Sequence, residues 1–70
     1  MTILDTGLPS TRQIQALIKE GKEVQVKLNT EELLIGKILW QDAYCICLSE
    51  KGTNPTLIWR QALVYLRPTE

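Results

Sequence analysis

The sequence has no histidine, and its only two cysteines, Cys45 and Cys47, stand two positions apart. Without imidazole the chain lacks the side chain most used in acid–base catalysis. Two neighbouring thiols close no useful disulfide loop and supply only two of the roughly four ligands of a zinc site. We therefore expect no enzyme, no cofactor and no metal, and both cysteines are predicted to be small apolar core residues. Four carboxylates lie in predicted turns or at strand ends, where exposure to solvent is the ordinary state and no catalytic arrangement is indicated: Glu31, Glu32, Asp42 and Glu50.

An excess of charge of one sign and long apolar runs are also missing. Eight basic and eight acidic residues give a formal net charge of zero, so any binding of nucleic acid requires a local patch. No apolar run approaches the ~20 residues of a membrane span. The segment Met1–Ser10 lacks the basic start and apolar core of a signal peptide. We expect a cytoplasmic protein with reduced thiols and no membrane insertion.

The segment from Leu33 to Gln41 is the most informative stretch that is present. It is apolar on both faces, so as a strand it needs cover on both sides. Gly36 in its middle indicates a bend or a close approach of backbone. A chain of 70 residues buries only a small core, and without disulfides or metals oligomerisation is the remaining means of stabilising it.

Hydrophobic periodicity predicts one helix followed by five strands. The helix is expected at about residues 11–20, with Ser10 and Gln13 as a capping box and Gly21 as a left-handed stop. The strands are expected at about 24–29, 32–41, 44–49, 56–61 and 63–67. The predicted fold class is mainly β: one domain, a small barrel of five strongly bent antiparallel strands with an N-terminal α-helix.

Few residues are candidates for a binding site. The four aromatic side chains, which we expect chiefly to pack in a core or interface, are Trp40, Tyr44, Trp59 and Tyr65. Of these Tyr44 follows a predicted turn directly, so it is the best candidate for stacking on a base. Arg60 and Gln61 form a polar pair in an apolar segment. They are either ordinary exposed polar residues of a strand, or they line the central channel of a ring, whose symmetry would repeat the Arg60 charge around its axis.

In order and spacing these features resemble a known family. They are Gly36 in the second strand, the segment Trp40–Tyr44 at the turn into the third, and the segment Trp59–Ala62 before the last bend. From about Leu8 to Pro68 the chain resembles the bacterial Sm-like RNA-binding protein Hfq. The opening Leu-Pro-Ser-x-Arg-Gln is similar to the divergent cyanobacterial branch.

The resemblance implies an Sm fold, which is SH3-like, and a homohexameric ring in which the fourth strand of one subunit pairs with the fifth strand of the next. It also implies RNA binding, with uridine-rich RNA on the helix-bearing (proximal) face and adenine-rich RNA on the opposite (distal) face. Tyr44, Arg60 and Gln61 stand at the proximal positions. Ala43 and Gln61 there replace an amide and an imidazole of the family, which predicts weakened RNA binding.

The distal and rim positions match the family less well. Lys27 stands where the family stacks adenine on a tyrosine, and Glu31 stands at the usual turn glycine. A carboxylate repeated around a ring repels phosphate, so Lys27 is a weak distal candidate. Lys19 at the helix end is a weak candidate for the basic rim patch of the family.

Three functional hypotheses stay open at this point. The first is an Hfq-like ring that regulates gene expression after transcription through weakened RNA sites. The second is a protein-interaction ring that acts in motility through the type IV pilus assembly motor. The third is a monomeric SH3-like peptide binder.

Overall fold

One antiparallel sheet of five strands forms the body of the protein, as the computed structural model shows for residues 7–69. Its strands are arranged in the spatial order β4-β3-β2-β1-β5. This mainly β architecture with a preceding helix confirms the predicted fold class. Among the residues described, no helix is long and apolar enough to cross a membrane. The elements in chain order are α1 (Pro9–Glu20), β1 (Glu23–Leu28), β2 (Leu33–Gln41), β3 (Cys45–Ser49), β4 (Thr56–Trp59), a 3₁₀ turn (Arg60–Ala62) and β5 (Leu63–Pro68).

Helix α1 begins earlier than predicted, and the prediction of Ser10 as its cap is wrong. Leu8 is the residue before the first turn, no side chain among residues 7–69 caps the helix, and Pro9 occupies the first position. Proline suits that position because its φ is already helical and its missing N–H would have no intrahelical partner. Ser10 therefore lies inside the first turn, where it cannot cap.

The other end of α1 is as predicted. Gly21 adopts a left-handed conformation with φ of 65°. Its N–H donates to the Ile18 carbonyl at 3.1 Å, and the Lys22 N–H donates to the Leu17 carbonyl at 3.2 Å. These two bonds satisfy the Leu17 and Ile18 carbonyls, two of the last four in the helix, and turn the chain into β1.

The hydrophobic core lies between one face of the sheet and α1. Its four fully buried large side chains are Val24, Val26, Ile46 and Leu48. Partly buried residues of α1 pack against this cluster, namely Ile14, Leu17 and Ile18. Cys45 and Cys47 are buried free thiols that alternate with Ile46 and Leu48 on β3, so this strand is covered on both faces and the cysteines are buried as predicted.

Strand β2 carries two irregularities. Gly36 is buried, and a methyl group in its place would collide with the backbone carbonyl oxygen of Ser49 on β3. The pairing with β3 then shifts between Ile38 and Trp40, so that Leu39 is an extra residue. A bulge of this kind bends a strand and re-aims the side chains beyond it. It explains why Trp40, which regular alternation along a strand would place on the same face as buried Ile38, is exposed.

The predicted strand at 56–61 ends two residues early. Arg60 and Gln61 lie in the 3₁₀ turn, because the chain must reverse there from β4 into β5. The Leu63 N–H donates to the Arg60 carbonyl and closes this turn. The predicted strand at 44–49 also starts one residue late, at Cys45, which leaves Tyr44 in the turn.

Candidate nucleic-acid interface

The turn between β2 and β3 is organised by Asp42. One carboxylate oxygen accepts the backbone N–H of Tyr44 at 2.8 Å and that of Cys45 at 2.9 Å. These two bonds, the Cys45 bond first, hold the pKa of the Asp42 carboxyl below its ordinary value of 3.8. The turn is thereby fixed by a charged acceptor, and the Tyr44 side chain is left 53% exposed.

Arg60 is attached to the same turn. Its Nε donates to the Asp42 carbonyl at 2.9 Å, and its Nη2 donates to Gln41 Oε1 at 2.8 Å. The Arg60 backbone N–H donates to the Tyr44 carbonyl at 2.9 Å. The structure therefore brings together two of the predicted site residues, Tyr44 and Arg60. Gln61 follows Arg60 in the 3₁₀ turn and is exposed.

Gln41 is a part of this arrangement that the sequence patterns did not single out. Its Nε2 donates to Gln15 Oε1 at 3.0 Å and to the Thr11 carbonyl at 3.2 Å. Both acceptors belong to α1, so the amide joins the helix to the turn that carries Arg60. The signal in the sequence is an uncharged polar side chain at the end of a largely apolar strand.

Lys19 lies on the same side of the molecule. It lines a shallow groove along α1 together with Thr11, Arg12, Gln15 and Ala16. Thr11 and Gln15 are the two residues that Gln41 contacts. The helix groove is thus continuous with the Gln41–Arg60 contacts, and its two cations are Arg12 and Lys19.

Lys27 is separate from this group. Its ammonium pairs with the Glu31 carboxylate at 3.6 Å across the β1–β2 turn. Glu31 has a φ of 74°, the left-handed conformation that glycine adopts more easily. Lys27 lies opposite Tyr65 on β5, and the Arg67 guanidinium stacks on that tyrosine ring at 4.5 Å.

The buried Cys45 thiol is in surroundings that disfavour its thiolate form. Desolvation, followed by the nearby Asp42 carboxylate, raises the pKa of Cys45 above 9.0. A raised thiol pKa disfavours the thiolate that acts as nucleophile or metal ligand. Within residues 7–69, no group of three or more acidic, thiol or imidazole side chains is placed to hold a metal ion.

Comparison with known families identifies the chain. A family model described as "Hfq related" matches residues 8–68. This chain belongs to the Hfq-related family. The comparison with curated proteins returned no match.

Solved Hfq structures agree with this assignment. The crystal structure of an Hfq protein from Anabaena sp. is 46% identical, with a TM-score of 0.80; the match covers 87% of this chain and 97% of that one. A structure of the pleiotropic translational regulator Hfq is 21% identical, with a TM-score of 0.77; the match covers 81% of this chain and 93% of that one. The second likeness shows the fold alone, and the protein is an Hfq-like Sm protein.

Proposed function

We propose that this Hfq-like chain assembles into a homohexameric ring in which β4 of one subunit pairs with β5 of the next. The support is that β4 and β5 are the two edges of the sheet. Unpaired edges invite further pairing, and a closed ring satisfies them all. Large apolar side chains on these edge strands are more than half exposed in the single chain: Leu57 55%, Trp59 60% and Val64 59%.

We further propose that the proximal face of this ring binds uridine-rich RNA weakly, as a cytoplasmic post-transcriptional regulator. The observation that carries this proposal is the attachment of both the Tyr44 backbone and the Arg60 guanidinium to the Asp42 turn. An exposed tyrosine and a fixed cation attached to the same turn can supply a stacking surface for a single-stranded base and a charge for its phosphate. Gln61, exposed in the next position, supplies a hydrogen-bonding amide for a base edge or a phosphate.

Several features make the binding weak. The formal net charge is zero, so no long-range attraction adds to the local site. On the distal face, the charge of Lys27 is paired with Glu31. The helix groove carries only two exposed cations among its described residues, Arg12 and Lys19. We expect the distal face and the helix groove to contribute less to RNA affinity than the Tyr44–Arg60 site.

Binding of labelled oligo-U and oligo-A at near-physiological salt tests this proposal. Arg60→Ala is expected to lower oligo-U affinity about tenfold or more, because it removes a charge-assisted hydrogen bond to phosphate. Arg67→Ala is the matched control, since it removes an arginine from β5 without touching the Asp42 turn. Unchanged oligo-U binding by Arg60→Ala would remove the proximal site. Tight oligo-A binding would contradict the role given to the Lys27–Glu31 pair.

A second candidate function is a protein-interaction ring that acts in motility through the type IV pilus assembly motor. It is favoured by the pairing of Lys27 with the Glu31 carboxylate, which offsets the candidate cation of the distal face. A face whose candidate cation is already paired with a carboxylate makes a poor general RNA surface. Affinity purification from cell lysate, with and without ribonuclease, separates the two functions. A ribonuclease-resistant pilus-motor partner supports the interaction ring, and co-purifying small RNA supports the regulator.

A further inference from the structure

The Gln41 side chain forms hydrogen bonds with three residues, one more than the Arg60 side chain does. It reaches Arg60 in the 3₁₀ turn and both Thr11 and Gln15 in α1. We propose that Gln41 is the positioning residue that fixes the Arg60 guanidinium for phosphate binding. This inference rests on the proposed RNA site and names the residue on which its geometry depends.

The chemistry of the three partners fixes the orientation of the Gln41 amide. An arginine side chain only donates hydrogen bonds, so the amide oxygen must face Arg60. The Thr11 backbone carbonyl only accepts, so the amide nitrogen must face α1. A carboxylate at position 41 would satisfy Arg60 but would have no donor for Thr11. An apolar side chain of the same length would satisfy neither.

The two acceptors that hold Arg60 are both neutral. They are the Gln41 amide oxygen at 2.8 Å and the Asp42 backbone carbonyl at 2.9 Å. The ion pairs found within residues 7–69 are Lys22–Glu20 and Lys27–Glu31, so neither includes Arg60. The guanidinium is therefore held at two points by neutral acceptors, and the nearby Asp42 carboxylate acts on it electrostatically without forming a salt bridge. A fork fixed in this way loses little side-chain freedom when it binds a phosphate.

Gln41 also ties this cation to the helix. Because the same amide donates to Thr11 and Gln15, the position of Arg60 depends on the packing of α1 against the end of β2. Without Gln41, Arg60 keeps its charge and its Asp42 bond but has only one fixed point in place of two. RNA affinity should then fall because the Arg60 side chain must be ordered when it binds phosphate, while the number of charges at the site is unchanged.

The test compares oligo-U binding across salt concentrations for rings carrying Gln41→Met, Gln41→Glu, Arg60→Ala and the double change Gln41→Met with Arg60→Ala. Methionine keeps the length and volume of the side chain, which protects the fold. Gln41→Met is expected to lower affinity about 2- to 10-fold with an unchanged salt slope. Arg60→Ala is expected to reduce the slope by about 0.7 for each phosphate that the ring no longer neutralises. The double variant should bind like Arg60→Ala alone.

Gln41→Glu separates charge from position. It places a carboxylate beside Arg60, so both affinity and salt slope should fall. Gln13→Ala, an exposed change elsewhere on α1, is the control and should bind like the unchanged ring. In parallel, the Arg60 Nε–H resonance in NMR spectra should exchange faster with water in Gln41→Met, because the side chain is less fixed.

The outcomes distinguish this inference from the proposed function. Oligo-U binding by Gln41→Met equal to that of the unchanged ring overturns the role of Gln41 and leaves the RNA site standing. Independent, additive reductions in affinity in the double variant overturn it as well. No oligo-U binding by the unchanged ring overturns the RNA site itself, and the role of Gln41 falls with it.

Discussion

Replacing Gly36 by alanine should severely destabilise the protein. The added methyl carbon would meet the Ser49 carbonyl oxygen and would lie 3.0 Å from the Ser49 carbonyl carbon and 3.2 Å from Leu48 Cγ. The nearest of these atoms is backbone, so β2 and β3 must separate where Lys37 pairs with Ser49. Crowding of this kind costs about 1–3 kcal/mol, and each weakened ladder hydrogen bond costs about 1 kcal/mol more. We expect the free energy of unfolding to fall by about 3 kcal/mol in total.

Thermal unfolding at one fixed protomer concentration measures this destabilisation, because the stability of an assembly depends on concentration. For a domain of this size, about 3 kcal/mol corresponds to a fall in Tm of about 12–24 °C. Gly52→Ala is the matched control: Gly52 has a φ of 81°, but a methyl group there would meet no atom within 4 Å. Its left-handed conformation should cost the alanine variant only about 1 kcal/mol. A Gly36→Ala variant no less stable than Gly52→Ala would refute the close approach of β2 and β3.

Three further predictions concern a turn, a strained residue and a strand edge. Asp42→Asn keeps the oxygen that accepts the turn's backbone N–H groups but does not titrate. Because folding lowers the pKa of Asp42, the ionised carboxylate stabilises the unchanged protein, and this stabilisation should be lost as pH falls below about 3.8. The variant should show no such loss, so parallel acid-unfolding curves for the two proteins would contradict the role of Asp42. Glu31→Gly should be about 1 kcal/mol more stable than Glu31→Ala in denaturant unfolding, because alanine retains the strained φ of 74°, and equal stabilities would argue against strain. Val64→Lys should leave the subunit folded but break the ring in light scattering, because this 59% exposed side chain on β5 belongs to the proposed interface; an intact ring would exclude Val64 from it.

Much of the fold could be predicted from the sequence because simple local chemistry dictates it. Alternating apolar residues place Val24 and Val26 in the core of β1, and both are fully buried. Gly36 is conspicuous in the sequence because it interrupts an apolar strand. The structure gives the reason: a side chain at this position would collide with the Ser49 backbone on β3. Gly21 ends the helix because the left-handed conformation suits glycine.

The errors at element ends have a common physical cause. Ser10 was predicted as the helix cap because a serine hydroxyl can accept a backbone N–H. The fixed φ of Pro9 instead starts the helix at Pro9, one position before Ser10. Arg60 continued the strand pattern of β4, yet the reversal into β5 places it in a 3₁₀ turn. The bulge at Leu39 depends on the pairing of β2 with β3, which no local pattern encodes.

The candidate site was predicted only in part for the same reason. Tyr44 and Arg60 were identifiable by residue type and position, and the structure joins both to Asp42. The Gln41 amide was not identifiable, since its partners Thr11 and Gln15 lie 30 and 26 positions away in the chain. A hydrogen bond over such a separation becomes visible only when the helix is packed against the sheet.

The solution mass of the purified protein distinguishes a hexameric ring from a monomer. Paired β4 and β5 edges in a closed ring predict a single species of six 8.0 kDa chains, about 48 kDa in native mass spectrometry or light scattering. That species should persist on dilution and after ribonuclease treatment, because protein strands rather than RNA hold it together. A stable monomer of 8.0 kDa with the same fold would contradict the ring.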